Sequence, residues 1–110
     1  IDPEWLARMQ RTKPAFLCEL FSMFLVDEPK RLAALAFCVN AADMEQARYL
    51  AHSIKGAAAT LGLIPLRDAA RELEFAARDG QAEELAKGLA RIQAEAETVF
   101  AAMRQAMPKA

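Results

Sequence analysis

The chain is poor in metal-ligating residues. Its 110 residues include 2 cysteines and a single histidine. Cys18 and Cys38 lie in what reads as one helical stretch, which would separate them by about 30 Å, far beyond disulfide reach. One histidine and two cysteines are also too few for a Cys/His metal site. We therefore expect two free thiols in a reducing compartment and no metal bound by this chain.

An excess of one charge and a long apolar run are also absent. Fourteen basic and 15 acidic residues are mixed along the chain and leave a net charge of −1, so no surface is marked for nucleic acid or an anionic membrane. No apolar run reaches the roughly 18 to 20 residues that span a bilayer, and no signal-peptide pattern is present. We expect no nucleic-acid partner, no membrane contact by this segment and a cytoplasmic location.

What is present favours helix. Hydrophobic residues make up 55% of the chain, alanine and leucine dominate, and β-branched residues are few. Long amphipathic segments alternate with short turns, and 110 residues suit one core. These features predict an all-α fold, an up-and-down four-helix bundle with a short extra N-terminal helix, as a single domain over residues 1–110. The predicted helices begin near residues 3, 14, 44, 65 and 81.

The second helix contains Pro29, which could break it. Leu17 and Phe21 before the proline and Leu35 and Val39 after it fall within about 40° of one another on a helical wheel. Two unrelated helices would usually lose this phase. The pattern predicts one long helix with a kink near Pro29, and two helices that meet at residues 27–29 are the alternative.

His52 lies on the outward face of the third helix. With Leu50 as the reference, Ile54 and Leu61 lie within about 40° on the core side, whereas His52 lies about 200° away. An outward position by itself is also what an ordinary, solvent-exposed histidine without a function would have. Gly56 follows one turn later, in mid-helix, where glycine costs roughly 0.5 to 1 kcal/mol relative to alanine. Its neighbours use alanine at nearly every small position, so the glycine needs a reason.

Open space beside the imidazole is one such reason. Without a side chain at Gly56, another protein can approach His52 closely. Lys55 can bring its ammonium group to the same volume, although alone it would be read as a solvated lysine. An accessible imidazole with a nearby cation is suited to accept an anionic group, such as a phosphoryl group, on a ring nitrogen.

The stretch HSIKGAAATLG, residues 52–62, resembles the H-x-x-K-G-x-x-x-x-x-G signature of histidine-containing phosphotransfer (HPt) domains. The following LIPLRDAARELEFAARDG is similar to the next helix of that family, with its Leu73-Glu74 pair and its closing Gly80. The upstream FLVDEPKRLAALAFCVNAADMEQA is similar to the family's preceding helix. The resemblance extends from about Phe16 to Gly80.

The resemblance implies a bundle whose surface histidine relays phosphoryl groups between aspartates of response-regulator receiver domains. His52 would be phosphorylated, Lys55 would stabilise the phosphoryl charge, and Gly56 would clear the approach of the receiver. The receiver would supply Mg²⁺, so no cofactor is expected in this chain. The chain has no nucleotide-binding loop, so it would lack kinase activity and take the phosphoryl group from a partner.

Glu74 is the candidate for orienting the imidazole. Related domains use a polar side chain on the neighbouring helix to hydrogen-bond the second ring nitrogen, and Glu74 occupies that position here. The alternative is that Glu74 pairs with Arg71 or Arg78 on a solvated face.

A docking surface would need apolar residues near the histidine. Phe37 lies off the core stripe of the second helix and is a candidate. For Phe37, as for two other off-stripe residues of this helix, packing against the core or the first helix is the expected alternative. Those two residues are Phe16 and Met23. The candidate docking residues on the third helix are Arg48, Tyr49 and Ala59.

Two rival interpretations remain at this stage. The bundle could dock on a receiver or kinase without being phosphorylated, or it could be a purely structural or dimerisation domain. The start at Ile1 favours an excised domain, such as the C-terminal module of a hybrid sensor kinase at the cytoplasmic end of a membrane protein, over a free-standing shuttle. The sequence does not identify the receiver, the pathway or the direction of net transfer.

Overall fold

The computed structural model describes residues 1–107. Within this range the chain forms five α-helices and no β-strand, as the composition predicts. Asp2 and Asp43 cap the first and third helices, because each carboxylate accepts a backbone N–H of the first turn, from Glu4 at 2.9 Å and from Gln46 at 3.1 Å. The helices are α1 (Pro3–Thr12), α2 (Pro14–Asn40), α3 (Met44–Thr60), α4 (Ile64–Arg78) and α5 (Ala82–Ala106).

Three connections of equal length link α2 to α3, α3 to α4 and α4 to α5. The middle residue of each has a positive φ angle: 55° at Ala42, 67° at Gly62 and 70° at Gly80. Its N–H bonds to the carbonyl three residues earlier, as Ala42 does to Val39 at 3.1 Å, and the next N–H bonds to the carbonyl five residues earlier. This is the Schellman arrangement, which satisfies the last helical carbonyls and reverses the chain.

The four long helices close into a ring. α3 packs most extensively against α4, α4 against α5, and α2 against both α3 and α5. Together with the short reversals, this is an up-and-down bundle, and the predicted fold class is confirmed. One hydrophobic core fills the ring. Its largest fully buried side chains belong to Leu17, Phe21, Leu35, Ile54, Leu63, Leu66, Leu73, Leu85, Ile92 and Met103.

The short first helix packs on one end of this bundle. The rings of Trp5 and Phe21 lie 6.5 Å apart between centroids, and Met9 is buried in the common core. The side-chain amide of Gln10 donates to the carbonyl of Ala106 at 3.0 Å. α1 is therefore attached to both α2 and the end of α5.

α2 runs without interruption through Pro29, so the alternative of two helices is wrong. Its core-facing stripe contains one residue that the sequence interpretation missed. Glu28 is only 3% exposed, pairs with Arg31, and has one carboxylate oxygen without a hydrogen-bond partner among the described residues. Burial raises the pKa of the Glu28 carboxyl above its ordinary value, although Arg31 acts in the opposite direction.

The buried face of α3 differs slightly from the predicted one. Ala47, Ala51, Ile54 and Ala58 are buried, whereas Leu50 is only half-buried. The three alanines of this face allow extensive packing of α4 against α3, and the contact is therefore displaced from Leu50 towards the alanines. Among residues 1–107, no helix combines the length and apolar character needed to cross a membrane.

Candidate functional site

His52, Lys55 and Glu74 form one connected group. Because α3 and α4 are antiparallel neighbours, residue 74 of α4 lies beside the turn of α3 that carries the other two. Glu74 Oε2 lies 2.7 Å from His52 Nδ1, and Glu74 Oε1 lies 2.7 Å from Lys55 Nζ. A single carboxylate thus bridges the imidazole and the ammonium group.

The three side chains differ in their access to solvent. The side chain of His52 is 65% exposed, that of Lys55 is 29% exposed and that of Glu74 is 13% exposed. An ionised carboxylate can only accept hydrogen bonds, so Nδ1 of His52 carries the proton that it donates to Glu74. When the ring is neutral, the lone pair is then on Nε2.

The contacts of Glu74 keep it ionised. Its partial burial alone would favour the protonated acid, but the hydrogen bonds and charges of Lys55 and His52 outweigh this effect. The pKa of the Glu74 carboxyl is consequently below its ordinary value. Near neutral pH the site contains a carboxylate held between two donors.

Arg71 and Arg78 do not take Glu74 away from the histidine. Their guanidinium groups lie 5.2 and 4.8 Å from the centre of the Phe75 ring, and Arg78 also bonds to Asp79 at 3.0 Å. The expected alternative, an ion pair of Glu74 with either arginine, is wrong. Glu74 faces α3, whereas Phe75 is the next residue around the helix and is partly exposed.

No side chain covers the surface of α3 at Gly56, one turn after His52. Gly56 is exposed, and a Cβ added there would meet no atom within 4 Å apart from the local helix backbone. Before His52 lies an open cleft of about 380 Å³, bordered by Glu45, Arg48, Tyr49, His52 and Glu74. The imidazole is therefore approachable from both directions along α3.

All four residues considered for docking are at the surface. Phe37 is 75% exposed and Tyr49 is 65% exposed, and Arg48 and Ala59 are exposed as well. The expected alternative, in which Phe37, Phe16 and Met23 would pack against the core, is wrong for all three, because each is exposed and none contacts the core.

The exposure of α2 has a simple cause. α3 and α5 cover one stripe of this helix, and the short α1 packs against it less extensively, with Trp5 against Phe21. A fourth large apolar residue on the uncovered side, Val26, was missed, although its place opposite Leu17 on the wheel could have shown it. The exposed fractions are 53% for Phe16, 63% for Met23 and 53% for Val26.

No three His, Cys, Asp or Glu side chains are grouped within residues 1–107 so that they could hold a metal ion.

The fold and the site together define a helical-bundle protein that presents one histidine at its surface. A family model for the Hpt domain matches residues 19–106. No curated protein and no solved structure matches the chain. The match spans well over half of the sequence, and the chain belongs to the Hpt domain family, whose members carry out histidine phosphotransfer in two-component signalling and interact with response-regulator receiver domains.

Proposed function

We propose that this chain is a phosphorelay intermediate, and that residues 1–110 act as one phosphotransfer domain. His52 accepts a phosphoryl group from the aspartate of one receiver domain and passes it to the aspartate of another. The contact between Glu74 and Nδ1 is the observation that carries this proposal. It directs the free lone pair to Nε2 of a largely exposed ring.

The transfer needs little from this chain beyond position and charge. Nε2 attacks phosphorus, the bond from phosphorus to the aspartyl oxygen breaks, and that oxygen keeps the bonding electrons as the free aspartate carboxylate of the receiver. The ring keeps the proton on Nδ1 and gains a positive charge, which the Glu74 carboxylate stabilises. The receiver and its Mg²⁺ supply the other charges of the transition state.

The docking surface in this proposal lies on the outward faces of α2 and α3. Phe37, Tyr49 and Ala59 provide apolar contact area, Arg48 provides a cation, and Gly56 allows the receiver close to the imidazole. Exposed apolar residues within a polar rim are typical of transient signalling interfaces. The first donor would be the receiver of a hybrid sensor kinase, whether or not that kinase is joined to this chain.

The second candidate function is a binding module that docks on a receiver or kinase without being phosphorylated. The same exposed residues of α2 support it, since they suit docking whether or not transfer follows. Only the chemistry at His52 separates the two candidates.

The test is transfer of radioactive phosphate from a phosphorylated receiver domain. His52 is the only histidine in the sequence, so phosphohistidine on this chain has one possible position. We expect label on the wild type and none on His52→Gln, which should keep the same helical content because the side chain is mostly exposed. Absence of label on the wild type with every receiver of the host, or label that survives His52→Gln, would refute the relay proposal.

A further inference from the structure

The cation expected to hold the phosphoryl group, Lys55, already has a partner. Its ammonium lies 2.7 Å from Glu74 Oε1, its side chain is mostly covered, and it does not border the cleft beside His52. If Lys55 moved to a phosphoryl group, it would leave the carboxylate that fixes the imidazole. The structure therefore gives Lys55 a positioning role, exerted through Glu74.

Another cation borders the open side of the ring. Helical side chains lean towards the N-terminus of their helix, so the imidazole of His52 lies over the turn that carries Arg48 and Tyr49. Both residues border the cleft of about 380 Å³ next to the imidazole. Within residues 1–107, Arg48 forms no ion pair. Its guanidinium group is available to an anion.

We propose that Arg48 binds the phosphoryl group carried on Nε2 of His52, in the cleft between its own turn and Glu74. This inference rests on the proposed function, because it assumes that His52 is the phosphorylated residue. It gives the two cations separate tasks: Arg48 binds the oxygens of the transferred group, and Lys55 holds the carboxylate that holds the ring. Guanidinium is well suited to the first task, since its planar donors match phosphoryl oxygens.

Two acidic groups also border the cleft. Both oxygens of Glu74 are engaged by His52 and Lys55, which offsets its charge. Glu45 is exposed, and no ion pair joins it to another of residues 1–107, so its charge opposes a phosphoryl group in the cleft. Arg48 and Glu45 should therefore change the lifetime of phosphohistidine in opposite directions.

The experiment uses a small phosphodonor, so that it does not depend on any receiver. The chain is phosphorylated with phosphoramidate, where the phosphorus–nitrogen bond of the donor breaks, ammonia leaves and the bond to Nε2 forms. The loss of phosphohistidine by hydrolysis is then followed by ³¹P NMR. A cation stabilises the dianionic phosphoryl group more than the transition state, in which that group transfers charge to the leaving ring.

We expect Arg48→Gln to hydrolyse about two- to fivefold faster, the range that an exposed charge pair supports. Arg48→Lys should restore part of the difference, and Glu45→Gln should slow hydrolysis. Arg91→Gln is the matched control, because Arg91 pairs with Glu72 at a distance from the cleft and its loss should have no effect. In the wild type, the Arg48 Nε–H signal in a ¹H–¹⁵N spectrum should move on phosphorylation, which a merely structural role would not produce.

Several results would overturn the role of Arg48. One is that Arg48→Gln equals the wild type in hydrolysis and the Arg48 signal does not move. Failure of phosphoramidate to phosphorylate His52 would also count against it, because an open anion site beside Nε2 must admit this donor. If a receiver phosphorylates the chain efficiently but the lifetime of phosphohistidine is unchanged in Arg48→Gln, the role of Arg48 is refuted and the relay proposal stands. If Arg48→Gln shortens the lifetime of phosphohistidine but no receiver transfers a phosphoryl group to the chain, the role of Arg48 stands and the relay proposal is refuted.

Discussion

Gly56 lies one turn after His52 on the same outward face of α3, and the space that its side chain would occupy is empty. Removing the glycine should therefore help the fold and harm the transfer. We expect Gly56→Ala to raise the free energy of unfolding by about 0.5 to 1 kcal/mol, the helix propensity difference. Gly56→Leu should slow phosphoryl transfer from a receiver at least about tenfold, because the receiver and the ring would be held out of line.

The matched control is Gly88, the other glycine inside a helix. A Cβ there would lie 3.3 Å from the Cβ of Leu73, closer than packed atoms normally approach. Gly88→Ala should gain the same helix propensity but force α4 and α5 apart, so its urea denaturation midpoint should not rise as that of Gly56→Ala does. Equal stabilisation by both substitutions would contradict this account, as would normal receiver transfer in Gly56→Leu.

Glu74→Gln should alter the pH dependence of onward transfer. The amide oxygen can still accept the Nδ1 proton, but it has no charge to keep that proton on the phosphorylated ring. Because a protonated ring is the better leaving group, the transfer rate should decline at a lower pH in the variant than in the wild type. Single-turnover transfer to a receiver between acid and alkaline pH measures this. Superimposable profiles would show that the carboxylate acts only by position.

Two carboxylates should give stability opposite dependences on pH. The pKa of Glu74 lies below the ordinary 4.5, so ionised Glu74 stabilises the folded state above that pH, and the contribution is lost as the pH falls through the folded pKa. The pKa of Glu28 lies above 4.5, so folding favours its protonated form, and this advantage is lost as the pH rises through the folded pKa.

The Gln variants separate these two effects. At pH 7, Glu74→Gln should be less stable than the wild type and Glu28→Gln more stable, and both differences should shrink in acid. Glu28→Met should raise the free energy of unfolding at pH 7 by about 1 to 2 kcal/mol, because it removes the cost of burying a carboxylate, while the Arg31 side chain, which is 40% exposed, can be solvated by water. Urea denaturation at several pH values measures each difference. A Glu28→Gln protein less stable than the wild type at pH 7 would contradict the role assigned to burial.

The loop after α2 offers a further stabilising substitution. Ala42 has a φ of 55°, whereas glycine occupies the same place in the other two loops. A left-handed conformation costs a non-glycine residue roughly 1 to 2 kcal/mol, and the greater chain entropy of glycine offsets part of this. Ala42→Gly should thus raise the free energy of unfolding by about 0.5 to 1 kcal/mol. Thermal or urea unfolding measures it, and Ala41→Gly, at a φ of −84°, should give no such gain.

Periodicity predicted the helices and the fold class because both depend on the spacing of apolar residues, which Pro29 does not disturb. The outward direction of His52 followed from the same wheel. Glu28 was missed because a wheel drawn from apolar residues assigns a charge to the surface, whereas here an adjacent arginine lets a carboxylate enter the core stripe. The inward face of α3 was displaced because alanine has little hydrophobic weight yet permits the closest helix packing.

The partner of Glu74 could not be chosen from the sequence. Arg71 and Arg78 lie one turn away on the same helix, so an ion pair with either is always sterically available. The choice of His52 and Lys55 depends on how α3 and α4 align along their common axis, and that alignment comes from the alanine face and the Gly62 reversal. Local spacing gives the candidates, and tertiary packing selects among them.

Because α1 packs on the bundle, the folded unit is longer than the region that matches the family model. The family match begins at residue 19, within α2, and so omits fully buried Leu17 and all of α1. A recombinant fragment trimmed to the match would keep His52, Lys55 and Glu74 but would lose the first turn of a core helix and the cover over Phe21. Weak expression or aggregation of such a fragment would report on where it was cut, and not on the histidine chemistry.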